Sequence, residues 1–427
     1  MKLKFRHIAA LAAVLAAAGL CMLWYQNQRA QTVLGLSAGE KADDFDALCS
    51  LLDRSYPFWE EADVDRDALY RTGRDEAAAS GTDIEYFKCI DRFLGEFGGA
   101  GHLSVLDGSG YALYEDTLLA GQSLLSAAEQ QQTAPLRQVL ESPLTSRTYS
   151  LLDRSHAGFR TVIGLKEEYQ EAQDIKAQPA GTAGSGLTTE ILADGQAAYL
   201  KIESFSLTSY EPARAELEKF FGEIGEIPNL ILDLRGNGGG SDRFWEDLLV
   251  EPIAAREYES ERWYLLSLNE DNRSYMGALG LEPEELSALP QALFRPEYGR
   301  FTHCVQDTTR FEPAAKPYTG RIWLLVDDSV YSAAENFAFF CKNSGFATLV
   351  GTPTGGDGGI ADPLLFSLPE SGLIVRFSVF YGLNPDGSGN EACGTQPDYT
   401  VPEGADALDY CLELIGSGQA FAPMGPA

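Results

Sequence analysis

Apolar residues follow two different spacings along this chain. Between Asp43 and Phe97 they recur every three or four positions, which predicts amphipathic helices with a common buried face. Thr82 and Glu85 form the signature of a capping box at the start of one of these helices. We therefore expect a helical subdomain over residues 31–101.

The spacing changes after this subdomain. Residues His102–Leu106 alternate between polar and apolar positions, as a strand does. Residues 102–189 are therefore predicted to be a strand carrying the histidine, followed by an irregular connecting region. Within it, residues 178–186 are rich in Gly, Ala, Ser and Pro, as linkers and exposed loops are.

From residue 190 onward, short apolar segments alternate with turns and helical patterns. The predicted strands are Glu190–Leu192, Ala197–Ile202, Asn229–Leu234, Ile322–Val326 and Phe346–Val350, with the hairpin signal Asp194-Gly195 between the first two. The last three strands each lead into a turn, mostly followed by a helix, and this order predicts an α/β core over residues 190–415. Ligands bind at the carboxyl ends of the strands in such cores.

Composition and charge exclude several functions. The 427 residues include 63 Asp+Glu but only 32 Lys+Arg, a net charge of -31, whereas nucleic-acid binding needs a basic surface. The cysteines and histidines lack the close spacing of metal ligands, so we expect no metal and no other cofactor. Cys49 and Cys89 lie on neighbouring apolar helical faces, where they could form a disulfide or remain buried thiols.

The first thirty residues have the pattern of an export signal. They contain an apolar run from Ile8 to Trp24 and no acidic residue, and their basic residues are Lys2, Lys4, Arg6 and Arg29. Residues 1–30 are therefore predicted to be a signal peptide or a membrane anchor, with the remainder extracytoplasmic and either tethered or secreted. Lipidation of Cys21 is disfavoured because Leu20 stands where a small residue normally precedes such a cysteine.

Two turns at predicted strand ends contain candidate catalytic groups. Ser332 lies where a buried strand gives way to a helix, so its hydroxyl and the N–H of Ala333 would face the same space. An ordinary N-cap serine is the alternative. The glycine-rich turn after Leu234 could offer the N–H of Gly238 or Gly239 to an oxyanion, or could simply require positive φ angles.

Three familiar motifs do not fit their context. Gly35–Gly39 matches Gly-x-Ser-x-Gly around Ser37, but no strand is predicted before it, so we interpret it as a chance match. Ser241 stands where the third glycine of a dinucleotide fingerprint should be. The loop Thr352–Gly359 lacks the lysine of a phosphate-binding loop.

Both catalytic turns belong to four ordered blocks that resemble the C-terminal processing peptidases, also called tail-specific proteases, with which the tricorn core protease is grouped. The blocks are Leu232–Gly240, Leu325–Asp327 with Tyr331–Glu335, Leu349–Gly356, and Gly394–Asp398. The resemblance covers residues 190–403, and the helical unit looks like the amino-terminal part of bacterial members. It implies a crotonase/ClpP-like ββα core and a serine peptidase acting on protein or peptide substrates.

The resemblance also implies roles for individual residues. Ser332 matches the nucleophile, and the N–H groups of Ala333 and of Gly238 or Gly239 match the oxyanion hole. Many relatives have a PDZ module between the helical unit and the core. Residues 110–176 show no carboxylate-binding glycine loop of that kind, so recognition of substrate tails is not implied.

The base implied by the resemblance is a histidine. Many members use a lysine about 25 residues after the serine, but Asp357 occupies that position and no lysine follows Lys342, which excludes a serine–lysine mechanism. The tricorn-like branch uses a histidine ahead of the core and a glutamate before the Pro-Asp block, and His102 and Glu391 match these. A neutral imidazole suits a base at neutral pH, and a carboxylate would fix its tautomer.

Each of these roles has an alternative. His102 could simply close a helix, Glu391 could be a solvated loop carboxylate, His303 is a competing base, and Ser104 could help to orient His102. We predict an exported or membrane-tethered serine endopeptidase. The alternative is a catalytically inactive peptidase-fold protein that binds a ligand or peptide.

Overall fold

The computed structural model describes residues 34–62, 64–120, 125, 127–155, 184–192 and 195–417. The predicted leader and most of the predicted linker lie outside these residues. The described residues form two compact units. The first comprises those before residue 172 together with Gly277–Gly280 and Leu364–Phe377, and the second comprises the rest.

Helices and strands alternate through most of the described chain. The α-helices are α1 (Ala38–Ser55), α2 (Trp59–Ala62), α3 (Arg66–Ala79), α4 (Asp83–Gly95), α5 (Gly108–Tyr114), α6 (Ala127–Gln132), α7 (Ala134–Leu140), α8 (Pro143–Ser155), α9 (Tyr210–Glu223), α10 (Asp242–Trp245), α11 (Arg273–Leu279), α12 (Ala333–Ser344), α13 (Asn390–Cys393) and α14 (Ala407–Gly416). The strands are β1 (Ser104–Val105), β2 (Leu187–Leu192), β3 (Ala197–Ile202), β4 (Asn229–Asp233), β5 (Tyr258–Leu266), β6 (Glu284–Glu285), β7 (His303–Phe311), β8 (Arg321–Val326), β9 (Thr348–Gly351), β10 (Leu364–Ser367), β11 (Ile374–Phe377), β12 (Tyr381–Gly382) and β13 (Tyr399–Thr400). Short 3-10 segments are Ala100–His102, Leu207–Ser209, Leu286–Ala288 and Pro296–Arg300, and Glu115–Ala120 and Glu246–Val250 are π-helical.

The first unit is mainly helical, as predicted. Helices α1, α3 and α4 pack through their apolar faces, and Gly73 of α3 lies so close to Phe45 that an added Cβ would be 2.3 Å from its ring. Both ends of the capping box formed by Thr82 and Glu85 are present at α4. Ser37 caps α1 in the same way, which explains its position without any catalytic role. The unit also contains an antiparallel sheet in the order β1-β11-β10.

The second unit is built on a six-stranded sheet in the order β13-β9-β8-β4-β3-β2. All neighbours are parallel except β2 and β3, which form the predicted antiparallel hairpin. Alternate side chains of the strands face opposite sides of the sheet. One side packs against α9 and α12, and the other packs against α14. This arrangement confirms the predicted α/β core with a helical amino-terminal region.

The parallel strands place three loops at one edge of the sheet. Asp233 at the end of β4 is in register with Leu325 of β8, and Val326 at the end of β8 is in register with Gly351 of β9. The turns that follow these strands, which contain the candidate residues, therefore leave the sheet side by side. A separate antiparallel sheet in the order β12-β5-β7-β6 completes the unit.

Some local predictions differ from the structure. The strand predicted at His102 begins only at Ser104, because Gly101 and His102 both have positive φ angles, which extended strands do not allow. The connecting region predicted to be irregular is helical over most of residues 108–155. Cys49 and Cys89 are buried free thiols, so the disulfide alternative is wrong. No helix in the described part of the chain is both long and apolar enough to span a bilayer.

Candidate active site

Ser332 joins β8 to α12 through a strained backbone. Its φ of 58° and ψ of -125° lie in a region that residues with a Cβ seldom adopt. Its side chain makes no capping bond to α12, so it is not an ordinary N-cap serine. Its N–H donates to the carbonyl oxygen of Gly356 at 3.3 Å, and its own carbonyl accepts the N–H of Asn336 at 2.9 Å. The main chain thus holds this sharp strand-to-helix turn from both sides.

The glycine-rich turn after β4 lies directly against Ser332. A Cβ added to Gly239 would be 3.0 Å from the Cβ of Ser332 and 3.0 Å from the nitrogen of Ala333. Gly239 has a φ of 103°, which favours glycine. The carboxylate of Asp327, after β8, accepts the N–H of Gly236 at 3.1 Å. The two turns are therefore held together by backbone contact and by a hydrogen bond.

Two backbone N–H groups of these turns remain available to a ligand. The N–H of Gly239 donates to Oδ1 of the buried Asn237 at 2.9 Å, so it is already committed. Among the hydrogen bonds of the described residues, none uses the N–H of Gly238 or that of Ala333. Ala333 is the first residue of α12, where N–H groups have no partner within the helix. This difference favours Gly238 over Gly239 as a donor to a developing oxyanion.

Asp357 lies 25 residues after Ser332, at the position that corresponds to the lysine of the serine–lysine peptidases. It is buried, with 6 % of its surface exposed, and has a positive φ of 54°. The preceding residue, Gly356, forms a parallel bridge with Tyr331 and accepts the N–H of Ser332. Asp357 therefore directly follows a residue that contacts Ser332. In the second unit, Lys201 pairs with Asp233 and Lys342 pairs with Asp398.

Glu391 lies beside the same turn. The hydroxyl of Tyr331 donates to its Oε1 at 3.4 Å. Its main chain packs on the loop after β9, since a Cβ added to Gly356 would be 2.9 Å from the Cα of Glu391. Glu391 begins the short helix α13 with Asn390 and is only partly exposed. It is therefore not a fully solvated loop carboxylate.

A buried carboxyl group that the sequence analysis did not single out connects these loops. Glu335, on the first turn of α12, is fully buried, and its Oε1 accepts hydrogen bonds from Asn390 and Thr395, both at 2.6 Å. Burial raises the pKa of Glu335. Asn390 also accepts the N–H of Gly358 at 3.1 Å. A charged residue on the otherwise apolar face of a predicted helix was the signal that could have identified it.

His102 belongs to the first unit. It ends the 3-10 segment Ala100–His102 with a φ of 62°, and the preceding Gly101 has a φ of 60°. Gly101 is packed against Phe58, because an added Cβ would be 2.1 Å from that ring. The hydroxyl of Ser104 donates to the main-chain carbonyl oxygen of His102 at 3.1 Å, a contact that supports the turn rather than the ring. A non-glycine residue held in this conformation is unusual and points to a local constraint.

The competing histidine, His303, contacts residues of its own antiparallel sheet and of the segment next to it. His303 begins β7, its Nδ1 is 2.9 Å from the hydroxyl of Thr302, and its Nε2 is 3.9 Å from a carboxylate oxygen of Glu285. These neighbours belong to the antiparallel sheet of the second unit. Among the described residues, no group of three His, Cys, Asp or Glu side chains could hold a metal ion.

Comparison with known proteins adds a family match and a shared fold. Residues 196–401 match the model of Peptidase family S41. A crystal structure of a candidate peptidase from Parabacteroides merdae is 21% identical, with a TM-score of 0.53 over 90% of this chain and 98% of its own. Mature CPAF is 14% identical, with a TM-score of 0.52 over 90% of this chain and 99% of its own. None of the curated proteins compared with the chain matches it.

Proposed function

We propose that the chain, which matches the model of Peptidase family S41 over residues 196–401, is a serine-type peptidase and that Ser332 is its nucleophile. The observation that supports this most directly is the strained turn of Ser332 beside the uncommitted N–H groups of Gly238 and Ala333. A serine on a strained strand-to-helix turn presents its hydroxyl to a substrate. Two preorganised N–H donors match the negative charge that develops when an acyl group is attacked.

The proposed reaction passes through an acyl-enzyme. Ser332 Oγ attacks the carbonyl carbon of the peptide bond as the base takes its proton, and the carbonyl oxygen becomes an oxyanion bound by the N–H groups of Gly238 and Ala333. The C–N bond then breaks, and the protonated base gives its proton to the leaving amine. Water, deprotonated by the same base, attacks the ester and releases the acid and the free Ser332 hydroxyl.

We assign the base to His102 and its orientation to Glu391. The support is the match of both residues to the histidine branch of the family, together with Asp357 at the lysine position. The positive φ of His102 and the position of Glu391 beside Tyr331 add to it. A carboxylate that holds the histidine tautomer contributes to catalysis without itself taking the proton.

Labelling by a fluorophosphonate probe tests the nucleophile. The wild-type protein is expected to be labelled at Ser332, and Ser332→Ala is expected to lose the label completely. Ser329→Ala is the matched control, because Ser329 is an exposed serine of the same loop. If the folded wild-type protein is not labelled, the catalytic proposal is wrong and a binding role on this fold is favoured.

We further propose that the peptidase acts outside the cytoplasm. The support is the basic, apolar pattern of residues 1–30, which is typical of a signal peptide or an anchor. Expression of the full chain with and without residues 1–30, followed by fractionation, tests the proposal. The full chain is expected in the membrane or secreted fraction, and equal distribution of both forms would contradict it.

A further inference from the structure

A polar cavity lies in the second unit, at the border of its hydrophobic core, since Trp245 and Phe340 belong to both. Its volume is about 90 Å³, enough for several water molecules or for one substrate side chain. Its walls come from α10 and the segment after it, from β5 and β7, from α12, and from the loop after β9. The lining residues used below are Asp242, Glu246, Arg262, Asp307, Asn336 and Gly359.

The cavity is one helical turn from the proposed nucleophile. Asn336 lines it, and the main-chain N–H of Asn336 donates to the carbonyl oxygen of Ser332 at 2.9 Å. The side-chain amide of Asn336 donates to Asp242 at 3.1 Å and to the carbonyl oxygen of Gly359 at 2.9 Å. Asp242 itself follows Gly239 by three residues. Through its main chain Asn336 therefore contacts the turn of the proposed nucleophile, and through its side chain it connects the helix after the glycine-rich turn with the loop after β9.

Arg262 presents two hydrogen-bond donors that the described residues leave without an acceptor. Only 5 % of Arg262 is exposed, and its Nη1 donates to Oδ1 of Asn336 at 3.2 Å. Its Nε and Nη2 are buried and have no partner among the described residues. These two N–H groups lie on the same edge of a planar guanidinium, the edge that binds an oxygen acceptor side-on. A buried N–H group without a hydrogen-bond acceptor costs free energy. We therefore expect these two donors to bind an acceptor group that enters the cavity.

The position of Arg262 is fixed by packing. Its guanidinium carbon lies 4.1 Å from the centre of the Phe339 ring. A Cβ added to Gly358 would be 2.0 Å from Nη1. Gly358 directly follows Asp357, so the arginine supports the loop beside the nucleophile. Because packing fixes the guanidinium, its Nε–H and Nη2–H groups are already positioned to bind an acceptor.

The remaining charges of the cavity are acidic. Asp242 accepts hydrogen bonds from Trp245 and Asn336, and Glu246 and Asp307 also line the cavity. Burial raises the pKa of Asp242 to about 6 and that of Glu246 to about 7, and it also raises the pKa of Asp307. A carboxylate entering here would be repelled by these acids. An ammonium or guanidinium at the open edge of Arg262 would be repelled by its charge and would leave Nε and Nη2 without an acceptor.

A neutral group with both an acceptor and donors avoids both penalties. In a primary carboxamide, the oxygen accepts from Nε and Nη2 of Arg262 while the NH2 group donates to carboxylate oxygens such as those of Glu246. We propose that this cavity receives the substrate side chain on the amino-terminal side of the cleaved bond (P1), and that it selects glutamine or asparagine. This proposal rests on the proposed function of Ser332.

Activity-based probes that differ only at P1 test the selectivity. We would measure second-order labelling rates of the full chain with peptidyl diphenyl phosphonates carrying Gln, Glu, Lys or Leu at P1. The glutamine probe is expected to react at least about tenfold faster than each of the others, because a site built to hydrogen-bond a group rejects its isosteres strongly. Glutamine and glutamate have nearly the same shape, so their ratio reports the charge of the pocket.

Variants of the cavity residues test whether the cavity determines selectivity independently of the reactivity of Ser332. Glu246→Gln is expected to lower the Gln/Glu rate ratio at least about threefold, because it removes negative charge from the pocket. Glu251→Gln, an exposed acid just after Glu246, is expected to leave the ratio unchanged. Arg262→Met is expected to abolish the glutamine preference, and its circular dichroism shows whether it folds.

The outcomes distinguish this proposal from the one it rests on. If the simple fluorophosphonate labels Ser332 but the four P1 probes react at similar rates, or if lysine, leucine or glutamate is preferred, the pocket proposal is wrong and the nucleophile stands. If no phosphonate labels the folded protein, both proposals are wrong. An unchanged Gln/Glu ratio in Glu246→Gln would also contradict the pocket proposal.

Discussion

Gly239 packs directly against Ser332, so that a Cβ on Gly239 would be 3.0 Å from the Cβ of Ser332. The same Cβ would be 2.7 Å from the carbonyl oxygen of Tyr331, closer than real Cβ atoms approach. The two residues are distant in sequence and meet because β4 and β8 are parallel neighbours. The absence of a side chain at residue 239 therefore allows the turn at Ser332 to have its observed shape.

Gly239→Ala is expected to lower the reactivity of Ser332. The alanine would have to adopt a φ of about 103° and would collide with the turn, at a cost of about 1–3 kcal/mol. Labelling of Ser332 by the fluorophosphonate should fall at least about tenfold. Gly238→Ala is the matched control, because a Cβ there meets nothing within 4 Å and the N–H is kept. Equal labelling of the two variants would contradict the importance of this contact.

Ser332→Gly is expected to be more stable than Ser332→Ala, and neither variant is expected to be labelled. Glycine adopts the φ of 58° at little cost, whereas Ser332→Ala keeps the Cβ and its strain. The expected gain over Ser332→Ala is about 1 kcal/mol, which is offset in part by the greater freedom of glycine in the unfolded chain. Chemical denaturation of the two variants measures it. A glycine variant less stable than the alanine variant would show that the turn is not strained.

His102→Gln is expected to reduce the rate of peptide hydrolysis at least about 10³-fold, since the base acts in both steps of the reaction. The variant should remain folded, because its ring lies at a partly exposed turn. His303→Gln is the control and should retain activity, since the neighbours of His303 are Thr302 and Glu285. Loss of activity only in His303→Gln would transfer the role of base to that residue.

Glu335→Ala is expected to weaken both stability and catalysis. It leaves the side chains of Asn390 and Thr395 without a buried acceptor, at a cost of about 3 kcal/mol. The helix that carries Glu391 would lose its connection to α12, so substrate turnover should fall further than thermal stability alone explains. Glu335→Gln keeps the accepting oxygen and should retain most of both properties. Thermal unfolding and turnover of the two variants provide the comparison.

Stability should depend on pH through Glu246. Burial, reinforced by neighbouring carboxylates, raises its pKa from 4.5 to about 7. Between these values the folded protein holds a proton that the unfolded chain has released, so this group destabilises the fold increasingly as the pH rises through that window. Glu246→Gln should therefore gain stability over the wild type, from almost nothing at pH 4 to about 1–2 kcal/mol at pH 8. Denaturation at both pH values measures this, and a gain independent of pH would contradict it.

The elements with strong periodicity were predictable from the sequence. Phe45 and Leu48 on α1 and Phe87 and Ile90 on α4 are all buried, as their helical spacing required. The strands that precede the glycine-rich turn and Ser332 were also placed correctly, because continuous apolar runs bounded by turn residues are typical of buried parallel strands. Short elements such as β1 were not, since two residues contain too little pattern.

The sequence by itself determined which chemistry was available: a serine at a strand-to-helix junction, glycines in a neighbouring turn, and no lysine where a base could have stood. Only the tertiary structure decided which backbone donors are free, because the N–H of Gly239 is occupied by Asn237. It also revealed the buried Glu335 and the buried Nε and Nη2 donors of Arg262, which have no acceptor among the described residues. Hydrogen-bond partners and burial depend on contacts between residues far apart in the chain, and local sequence patterns do not encode them.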